Sequence, residues 1–272
     1  QTYRYLINNA NFESYIKVVK VDAESGKNIP YAGAGFKIFD PDGNQVTMTF
    51  TYPTPTTIDT FYTDANGQLV TPEKLEYGKG YSLVEVQAPY GYVLDSTPVY
   101  FDVAEEHSSD EGGISVIKVD KPNMAQKGTV SIEKTGEVFS GVNISGEENA
   151  DLIYQPVYEM KGLAGAVYEI TAAEDIYTQD RQTDNYGNRT LWYAKGDVVA
   201  VVTTGDGSAD IAAFAPARTK ATYDFLSVIH DGTIGEVSVT LPLGSYHIEE
   251  TKPPYVYIGT TESYDVTFAW DN

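Results

Sequence analysis

A chain of 272 residues, 42% hydrophobic and 21% charged, is long enough for two domains of ordinary size and too apolar to be disordered. No run of 18 apolar residues occurs, which excludes a membrane-spanning helix, and Gln1-Thr2-Tyr3-Arg4-Tyr5 lacks the pattern of a signal peptide. Eighteen Lys and Arg against 39 Asp and Glu leave a net charge of −21, which argues against nucleic acid, because a phosphate backbone needs a basic face. Solubility and mutual repulsion account for such acidity, with calcium binding as the sharper alternative. The 22 Tyr, 24 Gly and 13 Pro suit strands separated by tight turns. There are no cysteines; a secreted β-protein would often use disulfides, so their absence means either an intracellular home or a different covalent staple.

Taken in chain order, residues 1–13 read as the remnant of whatever precedes. A first domain is expected over 14–122 and a second over 123–272. Tyr15–Val21 alternates in period two and predicts a strand. Turn chemistry follows at Asp40-Pro41-Asp42-Gly43 and Asp64-Ala65-Asn66-Gly67. Tyr81–Glu85 and Val99–Val103 read as further strands, and Glu105–Glu111 as a solvated hairpin loop. Lys121-Pro122-Asn123 reads as the linker. Beyond it, Gly128–Lys134 and Asp265–Trp270 alternate again, with turns at Asn185-Tyr186-Gly187 and Gly205-Asp206-Gly207 and one weakly helical stretch at Thr219–Val228. Leu241-Pro242-Leu243-Gly244 lacks the Thr of a sortase signal and reads as a turn. Short strands at this spacing predict an all-β protein of two tandem immunoglobulin-like sandwiches.

The two halves repeat one another. Tyr81, Glu85, Pro89, Tyr90 and Tyr92 recur at identical offsets as Tyr246, Glu250, Pro254, Tyr255 and Tyr257. Val18-Val19-Lys20-Val21 corresponds to Ile132-Glu133-Lys134-Thr135, and Ala32-Gly33-Ala34-Gly35-Phe36 to Ala164-Gly165-Ala166-Val167-Tyr168. The second copy is longer around Gly136–Met160 and within Ile176–Gly232, where insertions extend surface loops. Val256 stands where the first copy has Gly91, which predicts a different turn there.

Lys20 shares its strand face with Ile16 and Val18, and Lys134 with Val130 and Ile132. Glu85 and Glu250 close strands of their own. Lys and Glu are rarely buried without partners, so their recurrence in both copies marks a pair rather than surface charge. With Val19-Lys20-Val21-Asp22, Ala32-Gly33-Ala34-Gly35-Phe36, Glu85-Val86-Gln87-Ala88-Pro89-Tyr90-Gly91-Tyr92 and Val119-Asp120-Lys121-Pro122 in order, the chain resembles the collagen-adhesin B-type (SpaA-like) domains of Gram-positive pilins and surface adhesins. The resemblance implies that an opening-strand lysine forms an amide with a closing-strand Asn or Asp, assisted by the glutamate: here Lys20 with Asp120, and Glu85 as acid/base. Burial would make the amine neutral and nucleophilic and keep the glutamate protonated.

In the second copy Lys134 and Glu250 recur without an evident acceptor. Its closing strand is expected beyond residue 272, and Asp271 and Asn272 lie in the wrong element. The resemblance implies a secreted stalk or pilin-like segment of a cell-wall-anchored adhesin, neighbouring domains of the same protein as partners, and a single self-modification in place of enzymatic turnover. The alternative is a ligand-binding adhesin module that uses Tyr154, Tyr158, Tyr177, Tyr186, Trp192 and Tyr193 for a host extracellular-matrix protein or a glycan, against packing of these aromatics beneath their own loops. No cofactor or metal is expected: His107, His230 and His247 are scattered, and Asp64–Gly67 lacks the glutamate of a calcium loop.

Overall fold

Alternating apolar and polar side chains send most of the chain into strands, because each strand can then bury one face. The computed structural model describes residues 3–4, 10–51, 53–147, 151–180, 191–213 and 227–271. It divides into two units, Gln1–Ala125 with Thr178–Thr190, and Gln126–Tyr177 with Leu191–Asn272. Among the described residues there is no α-helix, and no helix is long and apolar enough to cross a membrane.

Unit 1 runs through β1 (Glu13–Asp22), β2 (Gly35–Phe39), β3 (Met48–Phe50), β4 (Thr56–Ile58), β5 (Phe61–Tyr62), β6 (Gln68–Val70), β7 (Leu75–Glu76), β8 (Gly78–Gln87), β9 (Val99–Val103), β10 (Ser108–Asp110) and β11 (Ser115–Asn123). One sheet has the order β10-β11-β1-β6, with β7 also on β1; the other has the order β5-β2-β8-β9; β3 and β4 form a hairpin. Between the two larger sheets lie Ile16, Val18, Phe36, Ile38, Leu69, Tyr81, Leu83, Val103, Ile117 and Val119, the core of a sandwich. The first and last strands, β1 and β11, pair in parallel, with Lys20 opposite Lys121 and Asp22 opposite Asn123.

The segment 121–123 is therefore strand and no linker. Asn123 C=O accepts from Ala23 N–H on the β1 side (2.9 Å), so the alternate residue Pro122 points its nitrogen to the outer side of β11. There β10 reaches only as far as Ile117, and the missing N–H of proline costs no ladder bond. The stretch 105–111 holds a 3-10 turn (Glu105–His107) and the edge strand β10 in place of a plain loop.

Unit 2 runs through β12 (Lys127–Glu133), β13 (Thr135–Ser145), β14 (Ile153–Gly162), β15 (Val167–Ala172), β16 (Ile176–Tyr177), β17 (Leu191–Tyr193), β18 (Val198–Thr203), β19 (Ala209–Ala213), β20 (Ser227–Asp231), β21 (Glu236–Pro242), β22 (Gly244–Lys252) and β23 (Ser263–Phe268). The orders are β12-β21-β20-β19 and β18-β15-β22-β23, with β13–β14 and β16–β17 as two-stranded ribbons. Tyr168, Ile170, Val199, Val202, Val237, Val239, Leu241, Tyr246 and Ile248 fill this core. Ser227 and Val228 open β20, so that end of the expected helical stretch is strand; Thr219–Leu226 and the turn at 185–187 lie outside the described residues. On the outer side of β12, where β1 has β11, no described strand pairs.

Val256 corrects the expectation of an altered turn. It takes φ 65°, beside 80° for Gly91, and Tyr257 N–H reaches Pro254 C=O at 3.1 Å as Tyr92 N–H reaches Pro89 C=O at 3.1 Å. The same turn forms with a β-branched residue in the left-handed region, at the cost of strain.

Candidate functional site

Three strands bring one polar group each to the same end of the unit 1 core. In β1 the inward residues are Ile16, Val18, Lys20 and Asp22; in β8 they are Tyr81, Leu83 and Glu85; in β11 they are Ile117, Val119, Lys121 and Asn123. Lys20 and Glu85 are fully buried and Asn123 is buried with them. Lys20 Nζ donates to Glu85 Oε1 at 2.7 Å and to Asn123 Oδ1, while Asn123 Nδ2 donates to Glu85 Oε2 at 2.6 Å. The two oxygens of one carboxyl thus bridge the lysine amine and the asparagine amide. Asn123 Nδ2 also donates to Val93 C=O (2.7 Å), and Asp95 N–H donates to Glu85 Oε2 (3.1 Å), which fixes both planes.

Desolvation lowers the Lys20 pKa to about 8, against the opposing pull of the Glu85 charge and hydrogen bond. The centroid of the Phe36 ring, from the Ala-Gly-Ala-Gly-Phe motif, lies 5.5 Å from Nζ, and the ring is itself fully buried. A buried amine with a lowered pKa, an amide carbonyl carbon and a carboxyl that bridges the two are thus held together away from solvent.

The structure brings together Lys20 and Glu85 but not Asp120. Asp120 points to the outer face of β11, half exposed, and pairs with Lys118 at 2.9 Å. The place expected for Asp120 beside Lys20 and Glu85 is taken by Asn123, and the reason is parity: with Val119 inward, residue 120 must face outward.

Two pairs beside the pocket escaped sequence reasoning, one of them fully buried and the other with its carboxylate half exposed. Lys121 is buried and donates to Asp95 Oδ2 and Thr97 C=O, each at 2.9 Å, and its hydrogen bond is the main cause holding the Asp95 carboxyl well below the usual range. Tyr92 OH donates to Asp22 Oδ2 at 2.7 Å, while Asp22 Oδ1 accepts from the amides of Glu24 and Ser25. Burial, then the Asp22 charge, pushes the Tyr92 hydroxyl far above the ordinary tyrosine range. For Asn123, the signal was the inward parity set by Ile117 and Val119.

Residues 14–113 match the SpaA family model, a prealbumin-like fold domain. This segment is a SpaA-type domain. It contains Lys20 and Glu85; the match ends at residue 113, and β11 (Ser115–Asn123), which carries Asn123, follows it. No curated protein matches the chain. Among solved structures it is similar to the Bacillus anthracis TIE protein (19% identity, TM-score 0.46, 96% of this chain and 32% of that one). It is also similar to a streptococcal ancillary pilin (19%, 0.32, 96% and 60%) and to a D312A form of BcpA, the major pilin subunit of Bacillus cereus (16%, 0.31, 94% and 96%). The chain thus spans about a third of the first and three fifths of the second. At these scores the likeness adds nothing to what the strands and buried side chains of the SpaA-type domain show for themselves.

Unit 2 repeats part of the SpaA-type arrangement. Lys134 Nζ lies 3.0 Å from Glu250 Oε1; the Glu250 side chain is fully buried and that of Lys134 is 17% exposed. Glu250 Oε2 accepts from Thr260 N–H (2.8 Å), ten residues on, as Glu85 Oε2 accepts from Asp95, also ten residues on. Lys134 N–H and C=O bond Gly235 and Leu163, matching Gly67 and Ile29 around Lys20. No described Asn or Asp side chain bonds this pair. Asp271 instead exchanges backbone bonds with the Gln126 side chain (2.8 and 2.9 Å), at the opposite end of β12 from Lys134; Asn272 lies outside the described residues. A groove of about 330 Å³ between β12 and the facing sheet, lined by Val130, Ile132, Tyr168, Ile248, Tyr264 and Val266, occupies the place that Ile117 and Val119 of β11 fill in unit 1.

Of the six aromatics in the insertions, Trp192 and Tyr193 are buried and stacked at 6.0 Å, whereas Tyr154, Tyr158 and Tyr177 are exposed; Tyr186 lies outside the described residues. Among the described residues no group of His, Asp and Glu is placed to hold a metal. Asp64 uses its carboxyl to accept from the amides of Asn66 and Gln68, a turn-forming role.

Proposed function

We propose that the chain is a structural stalk segment of a bacterial cell-surface, pilin-like protein, stiffened by a self-formed amide between Lys20 and Asn123. The observation that carries this reading is the carboxyl of Glu85 bridging a buried amine and a buried amide at 2.7 and 2.6 Å. With the Lys20 pKa at about 8, roughly one amine in ten is neutral at pH 7. That amine attacks Asn123 Cγ. Glu85 collects the amine proton through Oε1 and delivers a proton through Oε2 to the departing Nδ2. One C–N bond forms, one breaks, and ammonia leaves. The event happens once per molecule and is not turnover.

The bond would join residues 103 positions apart. By the chain-entropy argument for cross-links, a loop of about 100 residues contributes about 4.7 kcal/mol. Because the link ties the first strand to the last, tension entering at one and leaving at the other would bypass the rest of the sandwich. That supplies the mechanical staple that a chain without cysteine otherwise lacks. Lys134 and Glu250 form the corresponding half-site of unit 2, which needs an Asn or Asp on a strand added to the open side of β12.

Intact-mass spectrometry tests the reading. The wild-type chain is expected lighter than its sequence by one ammonia, and Lys20→Ala, Glu85→Gln and Asn123→Ala each restore the full mass. A wild-type chain at full sequence mass overturns the cross-link, and a deficit of one water overturns the asparagine.

A further inference from the structure

The ribbon formed by β13 and β14 pairs with no other described strand, and one of its faces carries all of its aromatic side chains. Its register sets Phe139 opposite Tyr158, Val142 opposite Pro156 and Ile144 opposite Tyr154, with Met160 opposite Glu137 at the base. Directly opposed residues share a face, so Phe139, Val142, Ile144, Tyr154, Pro156, Tyr158 and Met160 form one continuous apolar strip. The irregularity between Phe139 and Gly141 is what keeps it continuous. Were Ser140 an ordinary ladder residue instead of the extra one, Gly141 and Asn143 would fall on this face in place of Val142 and Ile144. The reverse face is mixed: Val138, Ile153 and Val157 alternate there with Asn143, Ser145, Gln155, Glu159 and Lys161.

The strip is uncovered. Apart from Pro156, which is also exposed, its residues are between 45% and 64% exposed, and Phe139 and Tyr158 meet edge to face at 6.0 Å. A two-stranded ribbon with a bare apolar face is marginal in water, and contiguous exposed patches of this kind mark interaction surfaces.

Charge selects the occupant. An 11-residue strand at about 3.4 Å per residue, in a ribbon about 10 Å wide, offers roughly 370 Å², the size of a weak, transient interface with any partner. Two copies would bring −21 against −21. Glu137 sits on the strip, and Glu147 and Asp151 flank its tip, while on the reverse face Glu159 is matched by Lys161 at 3.2 Å. We infer that the β13–β14 ribbon is a docking surface for another protein whose apolar strip is bordered by lysine and arginine. The anchors are Phe139, Tyr154 and Tyr158, and the acidic border selects the basic partner and speeds its approach. The inference stands independently of the Lys20–Asn123 reading.

The test measures binding of the whole chain to extended synthetic peptides that alternate lysine or arginine with valine, leucine or tyrosine, beside matched peptides carrying glutamate for the basic residues. The wild type is expected to bind the basic set, with affinity at least about tenfold weaker for Phe139→Ser/Tyr154→Ser/Tyr158→Ser. The thermal midpoint of that variant should not fall, since all three side chains are exposed. If the triple variant does not fold, Tyr154→Ser alone must weaken binding. The inference is overturned by equal binding of wild type and variant, by no binding, or by preference for the glutamate peptides. Ribbon-dependent dimers in sedimentation, or ribbon-dependent adsorption to phosphatidylcholine vesicles, would likewise replace it.

Discussion

Lys20 Nζ lies 2.7 Å from Glu85 Oε1 with both side chains at zero exposure, and burial still prevails over the ion pair in setting the lysine's protonation. Its pKa falls from 10.5 to about 8. Between those values the unfolded chain holds a proton that the folded chain has released, so stability rises with pH across the window. Asn123→Ala, which cannot condense, is therefore expected to gain stability from pH 8 to pH 10.5. The gain should disappear in Lys20→Met/Asn123→Ala. Urea midpoints at stepped pH measure both, and a flat profile in the single variant would refute the assignment.

Asp120 and Asn123 separate cleanly by mutation. Asp120→Ala removes only a surface pair with Lys118 and is expected to change stability by less than about 0.5 kcal/mol, with the cross-link mass deficit intact. Asn123→Ala is expected to lose the deficit and about 4–5 kcal/mol of the stability of unit 1, seen as a lower thermal midpoint and faster proteolysis.

Tyr92 is the only described hydroxyl donor to Asp22 Oδ2, and both residues are buried. Tyr92→Phe keeps the ring and strands that oxygen, which should cost about 1–3 kcal/mol. A denaturant titration following unit 1 reports it. No loss of stability would mean that the oxygen finds another donor.

Val256 carries the left-handed φ that Gly91 takes freely, with its side chain 81% exposed, so packing offers little compensation. Val256→Gly should stabilise unit 2 by about 1 kcal/mol, the relief of strain less the extra entropy of glycine. A raised thermal midpoint for unit 2 confirms it; an unchanged or lower one refutes it.

Period-two alternation along the chain was enough to place Lys20 beside Ile16 and Val18, because side-chain direction in a strand follows from position alone. The recurrence of Lys134 and Glu250 was equally visible, since it requires only comparison of one half with the other. Which side chain of β11 meets Lys20 was left to tertiary structure. Asp120 and Asn123 both stand near the end of β11, and the parallel register with β1 brings Asn123 to Nζ while Asp120 faces outward. A shift of one residue would exchange inward and outward faces and make Asp120 the neighbour of Lys20. The pairs Lys121–Asp95 and Tyr92–Asp22 stayed hidden for the same reason: their partners stand 26 and 70 residues apart, and only the closed sandwich brings them within a hydrogen bond.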